Sequence, residues 1–256
     1  MISRHEGIAI KRLQQFEPSE GYYLAFSGGK DSVVLKILAD KAAVKYDAHY
    51  SVTTIDPPEL VYFIRRNHPE VIWDRPEKAF LTRLVENGFP LRQGRWCCEE
   101  YKEGGGTGRV VLTGIRAAES VKRRKRRMVE VCMKDPSKHF VHPLIDWTEL
   151  QIWSYIRSNN TPYCELYDQG FKRLGCLFCP MAYHKQRQHE VRLYPRYAAA
   201  FRKSFRALYE KRKQAGAKSV ERWPNGDAMF DWWIGDGHID ESKQKLFHFD
   251  SDLEER

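Results

Sequence analysis

The sequence has no long apolar run. Stretches such as Tyr22 to Phe26 and Val110-Val111-Leu112 fall far short of the ~20 consecutive apolar residues that a membrane-spanning helix needs. No charged-then-apolar leader opens it, because Met1-Ile2-Ser3-Arg4-His5-Glu6 is mixed and polar. The expectation is a soluble, cytoplasmic protein with no membrane partner. There is no internal repeat and no long low-complexity tract. Cysteine is sparse, six in 256 residues, and in an intracellular chain that number does not make a disulfide framework. Metal binding or redox chemistry is the first expectation for any cysteines that cluster. Acidic residues are the minority charge, 34 against 43 Lys and Arg, for a net +9. That surplus favours polyanionic partners, nucleotide or nucleic acid, without choosing between them.

Apolar residues make up 42% and aromatics 13%, enough to exclude a largely disordered chain. Over the first two thirds, short β-rich runs alternate with helix-like segments. Strands are expected at Tyr22 to Phe26, His49 to Thr54, Val71 to Trp73, Arg109 to Gly114 and Phe140 to Leu144. Helices are expected at Ser32 to Ala42, Leu60 to Asn67 and Pro76 to Gly88. This alternation predicts an α/β fold with a mostly parallel five-stranded sheet flanked by helices. Beyond about Thr148 the pattern is helical. Leu150, Trp153 and Ile156 share a face after an Asp146-Trp147-Thr148 cap. Tyr194 to Lys213 reads as a basic helix with a core stripe of Phe201, Phe205, Leu208 and Tyr209. The expected division is an α/β nucleotide-binding domain over 1–180 and a basic helical extension over 181–256, its last dozen residues frayed.

The sharpest motif is Ser27-Gly28-Gly29-Lys30-Asp31-Ser32, set between a buried strand and a helix. Glycines let backbone N–H groups approach an anion, and a helix N-terminus adds partial positive charge at the same place. Ser27 and Ser32 offer hydroxyls, and Lys30 offers a point charge or a solvated side chain. The Gly-Lys-Ser/Thr ending of a Walker A loop is absent.

This stretch resembles the PP-loop of the adenine nucleotide alpha-hydrolase superfamily, which has a Rossmann-like fold. That group includes ATP pyrophosphatases and the phosphoadenosine phosphosulfate (PAPS) reductase family. The resemblance implies that Ser27, Gly28, Gly29, Asp31 and Ser32 hold phosphate or sulfate of ATP or a sulfonucleotide. It also implies that Asp56, after the second strand, approaches nucleotide or metal, with Mg²⁺ expected. Gly114-Ile115-Arg116-Ala117-Ala118-Glu119-Ser120-Val121-Lys122-Arg123 is similar to a family element beside the nucleotide's charged end. Arg116, Glu119, Ser120 and Arg123 are carried over on that ground. Lys30, Asp31, Asp56 and Arg116 are the expected catalytic set.

Cys97-Cys98 and Cys176-x-x-Cys179 form the second strong signal. Four thiolates suit zinc or an iron–sulfur cluster. Adjacent cysteines fit a [4Fe–4S] cube, with its separated irons, better than a single zinc. Structural thiols are the third option. The spacing resembles the cluster motif of adenylyl-sulfate reductases and, with variation, that of DNA-phosphorothioation members of the superfamily. Cys132 and Cys164 read as small core residues.

The run Lys122 to Arg127 exceeds the need of one nucleotide. It is either a solvated charge run or a contact to nucleic-acid phosphates. The basic helix 194–213 extends that alternative. Trp232 and Trp233 read as core or domain-interface residues, with base stacking as the alternative. His139, His142, His184 and His189 have no partner at ligand spacing. The resemblance also marks a departure. Reductases use a Cys in a C-terminal Glu-Cys-Gly-x-His segment, and no Cys follows Cys179 here. Three expectations result. The first is an ATP-dependent enzyme that adenylates an acceptor, nucleic acid among the candidates, with pyrophosphate release for sulfur transfer. A sulfur-donor or electron-donor protein would be its further partner. The second is a sulfonucleotide reductase with a non-standard nucleophile. The third is a non-catalytic nucleotide- or nucleic-acid-binding module.

Overall fold

The computed structural model describes residues 4–235. The charged stretch 245–256, expected to fray, lies outside them. The chain forms two units. One contains Met1–Glu77 and Trp96–Cys176, and the other contains Lys78–Arg95 and Leu177–Arg256.

The first unit is built on a sheet. Its strands are β1 (Tyr22–Ala25), β2 (Tyr46–Ser51), β3 (Ile72–Asp74), β4 (Val110–Leu112), β5 (Val129–Val131) and β6 (His139–Val141), in the order β3-β2-β1-β4-β6-β5. All neighbours are parallel except β5 with β6. The mostly parallel sheet is as expected, but it has six strands rather than five. The extra strand, β5, follows directly on the basic run and is three residues long. Its half-exposed Val-Glu-Val pattern carries too little apolar signal to stand out. It exists because the turn after Cys132 folds it back on β6, with Cys132 N–H donating to Lys138 O at 2.9 Å.

Helices α1 (Arg4–Gln15), α2 (Lys30–Ala42), α3 (Pro58–Asn67), α5 (Trp96–Cys98), α6 (Val121–Arg124) and α7 (Glu149–Ser158) complete the unit, α4 belonging to the second. Leu24, Val33, Val34, Leu35, Leu38 and Leu112 are wholly buried between strands and helices. Each such side chain contributes about 1.5–3 kcal/mol on burial. Helix α7 starts at the expected place, with Thr148 and Gln151 capping each other reciprocally. Its buried face is a correction: Ile152, Tyr155 and Ile156 face inward, while Leu150 is 70% exposed. Tyr155 reaches Glu6 of α1 through its hydroxyl, and the helix packs against α2.

The chain leaves β1 for β2 and β3 on one side and returns to β4 on the other. The carboxyl end of the sheet between β1 and β4 is therefore a topological switch point, where such sheets open a crevice for ligands.

The second unit is helical: α4 (Phe80–Asn87), α8 (His184–Leu193), α9 (Pro195–Gln214) and α10 (Gly226–Ile234). Its core is aromatic. Phe201, Phe205, Leu208 and Tyr209 form the buried stripe of α9, as the periodicity predicts. They meet Phe80, Phe230 and Trp233. Trp232 packs beside Phe89 and Trp223.

Candidate functional site

Strand β1 ends with the Phe26 N–H donating to His49 O, and the chain then turns sharply into α2. Gly28 takes φ +69°, a left-handed conformation costly for other residues. An added Cβ there would lie 2.7 Å from Leu60 and Ile64 side-chain atoms. Gly29 precedes the helix in ordinary extended backbone, φ −76° and ψ 155°. The turn is laced by hydroxyls. Ser32 Oγ donates to Gly29 O at 2.8 Å and accepts from Ser27 N–H at 3.2 Å. Ser27 Oγ lies 3.1 Å from Ser32 Oγ and accepts from Gly29 N–H at 3.4 Å. The Lys30 N–H, first of α2, donates to the hydroxyl of Tyr167 at 2.9 Å.

Beneath the turn runs a chain of charges. Arg116 is 1% exposed. Its Nε donates to Asp31 at 2.6 Å and its Nη2 to Glu149 at 2.9 Å. Burial opposes its charge, but Asp31 and Glu149 outweigh burial and hold its pKa above the ordinary value. Lys30 is 2% exposed, so it does not point to solvent. Its ammonium lies 3.4 Å from Asp31, 3.5 Å from Glu149 and 3.4 Å from Lys172 O. Gly114, after β4, is small because a Cβ would come within 3.0 Å of Asp31 backbone. Lys30, Asp31 and Arg116, predicted separately from distant segments, thus meet at the switch point. Glu149 and Tyr167 were missed. Glu149 looks like an ordinary first residue of a helix, and Tyr167 sits in a short turn, Glu165–Tyr167, with no periodic signal.

The other expected residues lie around this centre. Glu119 accepts from Arg116 N–H at 2.9 Å and pairs with Arg123. Ser120 caps α6 by accepting from Arg123 N–H. Asp56 is 6% exposed and accepts from Tyr50 Oη at 2.6 Å and Thr53 N–H at 3.3 Å. Asp56, the carboxylate expected near nucleotide or metal, is engaged with these two protein donors. A cavity of about 330 Å³ lies at the ends of β2 and β3, lined by Tyr23, His49, Ser51, Asp74 and Tyr101 among others. Its polar wall is braced by His49 and Tyr23, both bonded to Asp74.

No two of the six cysteines are bridged. Cys97, Cys98, Cys176 and Cys179 are all half-buried. The first three fall in the sheet unit and Cys179 in the helical unit. Among the described residues, no group of three or more His, Cys, Asp or Glu stands in metal-holding geometry. In chemistry the four thiols suit a cluster. Within the helical unit the turn at Cys179 is specified. Phe178 takes φ +58° and its N–H donates to the buried carboxylate of Glu190 at 2.6 Å. Cys164 is a buried core residue, its thiol pushed up to about 11 by burial.

Of the basic run, Arg123 pairs with Glu119 and Arg126 with Glu130. Lys122, Arg124, Lys125 and Arg127 are exposed. On α9, Arg206 is taken up by Asp227 and Lys211 by carbonyls of residues 85 and 86.

The model of the phosphoadenosine phosphosulfate reductase domain matches residues 21–182. A Staphylococcus epidermidis protein named adenosine 5'-phosphosulfate reductase is 40% identical over 144 residues, 52% of this chain and 56% of that one. A Caenorhabditis elegans protein named probable FAD synthase is 30% identical over 179 residues, 68% of this chain and 33% of that one. The chain spans about half or less of the length of several curated relatives it matches. Among solved structures, the PAPS reductase of Candida auris aligns with a TM-score of 0.51 at 19% identity, covering 66% of this chain and 87% of that one. That likeness is one of fold.

Proposed function

Because the chain belongs to the phosphoadenosine phosphosulfate reductase domain family, we propose that it is an enzyme that binds ATP at the Ser27–Ser32 turn and transfers its adenylyl group. The observation that carries this reading is the turn itself. Two serine hydroxyls and the first N–H groups of α2 converge at a switch point, backed by the Lys30–Asp31–Arg116–Glu149 chain. Relatives named for adenosine 5'-phosphosulfate reduction and for FAD synthesis support an adenosine phosphate as the ligand.

In the proposed reaction an acceptor oxygen attacks the α-phosphorus. The new O–P bond forms as the bond from that phosphorus to the bridging oxygen of pyrophosphate breaks. The acceptor's proton passes to solvent. N–H and O–H donors at the turn stabilise negative charge on the departing pyrophosphate, as preorganised dipoles do in other transfers. Arg116 holds Asp31, and thereby the first turn of α2, in place. Sulfide-level sulfur from a donor protein would then displace AMP, a C–S bond forming as the acceptor's C–O bond breaks. Cys97, Cys98, Cys176 and Cys179 would hold a [4Fe–4S] cluster, which supplies a sulfur- or electron-handling centre when bound. The acceptor we favour is nucleic acid, on the exposed cations of Lys122 to Arg127.

The relative at 40% identity gives a second reading, reduction of a sulfonucleotide at the same turn. Calorimetry with ATP, adenylyl sulfate and PAPS on protein purified without oxygen decides between them. Preference for ATP, with pyrophosphate released on adding acceptor, is expected. Preference for a sulfonucleotide, with sulfite released, overturns adenylyl transfer. Iron and acid-labile sulfide at about four each per chain are expected of the same sample. Zinc in their place overturns the cluster.

A further inference from the structure

Gly28 and Gly29 differ in why they are glycine. Gly28 needs its left-handed backbone and its lack of a Cβ to fit against α3. Gly29 needs neither. Its φ of −76° suits any residue, and an added Cβ would meet only Ser27 Oγ and Tyr167 Oη, each at an ordinary 3.4 Å. The missing side chain therefore leaves a small space beside two hydroxyls, at the first turn of a helix.

Tyr167 is fixed beside that space. Trp153 stands edge-on to its ring at 5.1 Å, and the Lys30 ammonium lies 5.4 Å from its centroid. Its oxygen already accepts the Lys30 N–H at 2.9 Å, while no acceptor among the described residues takes its own hydrogen. A phenol has one hydrogen to give. Burial raises its pKa, so the group stays a neutral donor at physiological pH.

We infer that Tyr167 is a ligand-binding residue, its hydroxyl donating to an oxygen of the phosphate chain seated above Gly29 beside Ser27. The inference rests on the reading of the Ser27–Ser32 turn as the nucleotide site. It assigns the seat a tetrahedral oxyanion, phosphoryl or sulfuryl, and gives it a donor from a segment 137 residues away in sequence. The opposite role would be a plug, with the Tyr167 oxygen occupying an N–H that the ligand must claim. The two differ in sign. Y167F deletes a donor in the first case and frees the Lys30 N–H for the ligand in the second.

The test is ATP binding by calorimetry on the full chain, for wild type, Y167F, G29A and S27A, with inorganic phosphate as a minimal probe and melting temperatures alongside. Y167F should bind ATP about threefold to tenfold more weakly, the range for loss of one neutral hydrogen bond. G29A should fold normally, since alanine suits its backbone, and bind on the order of tenfold or more weakly because the Cβ fills the seat. Unchanged or tighter binding by Y167F, while S27A and G29A weaken it, overturns the role of Tyr167 and leaves the nucleotide site standing. Indifference of all three variants overturns the site and the inference together. If Y167F melts well below wild type, G29A carries the decision on the seat. Unchanged phosphate binding by a stable G29A then sinks the proposal.

Discussion

The turns that follow β1 and β2 stand side by side at the carboxyl end of the sheet, and they are built in opposite ways. The turn after β2 is closed on itself. Asp56 takes the Tyr50 hydroxyl and the Thr53 N–H, and Thr53 Oγ1 takes the Ile55 N–H. The turn after β1 is held from outside. Its aspartate is gripped by Arg116 from the segment after β4, and its first helical N–H by Tyr167. Both aspartates are expected, by resemblance, near the nucleotide. One anchors its own loop, and the other ties the first turn of α2 to the segment after β4. An acidic residue at a strand's end is thus informative only once its partners are known.

The comparison can be broken most easily at Arg116. Arg116→Ala leaves Asp31 and Glu149 with Lys30 as their remaining cation and should cost about 1.5–3 kcal/mol, the range for hydrogen bonds to charged groups, with ATP binding lost. A chemical-denaturation midpoint close to wild type would show that the turn after β1 supports itself. A second test extends the contrast to the end of β6. There His142 is buried, its Nδ1 2.7 Å from Thr113 Oγ1. Its Nε2 has no hydrogen-bond partner, the Glu130 carboxylate being 3.7 Å away. Burial first, and Arg126 second, lower its pKa to about 4. The unfolded imidazole takes its proton near pH ~6.5. Between those values the unfolded state binds more protons, so stability rises with pH. It should fall by up to about 3 kcal/mol as pH drops from about 6.5 to about 4. His142→Gln should flatten that slope, and an unchanged slope would assign it to other groups.

Smaller effects sharpen the contrast. Asp56→Ala should cost about 1–3 kcal/mol by unpairing buried donors, with ATP affinity unchanged in calorimetry. Loss of turnover at unchanged stability would instead return Asp56 to the chemistry. Gly28→Ala should cost about 1–2 kcal/mol through its left-handed backbone, with a further shift of Leu60 and Ile64. A wild-type melting curve for that variant would mean that the turn adapts.

The strand, turn and helix around Ser27–Ser32 were legible because every signal there is local: a buried run, two glycines, and serines flanking an acid at the start of a helix. The convergence of Arg116 on Asp31 was legible only through family resemblance, since 85 residues separate them. Residues without a local signature stayed hidden. Tyr167 works through a single hydroxyl in an irregular turn, and Glu149 is half solvent-facing. The two glycines read alike in sequence, and only backbone angles and neighbours separate them. Strand β5 was lost because its pairing depends on a hairpin whose apolar pattern is three residues long. On α7 the apolar period pointed to Leu150, while packing against α2 turned Ile152 and Tyr155 inward.

Lys30, Asp31, Arg116 and Glu149 alternate in sign along one chain of contacts. Two cations and two anions cancel, so the quartet is electroneutral. An arriving polyphosphate would meet oriented N–H and O–H dipoles rather than a surplus of charge. Dipoles act at contact range, whereas surface charges act across a Debye length of about 8–10 Å at physiological ionic strength. Affinity at the turn should accordingly be nearly flat in added salt. Binding of a polyanion on Lys122, Arg124, Lys125 and Arg127 should fall steeply, because each neutralised phosphate releases a condensed counterion. Ionic strength would then act as a selector within one molecule, loosening its hold on a large anionic partner while leaving the small one in place.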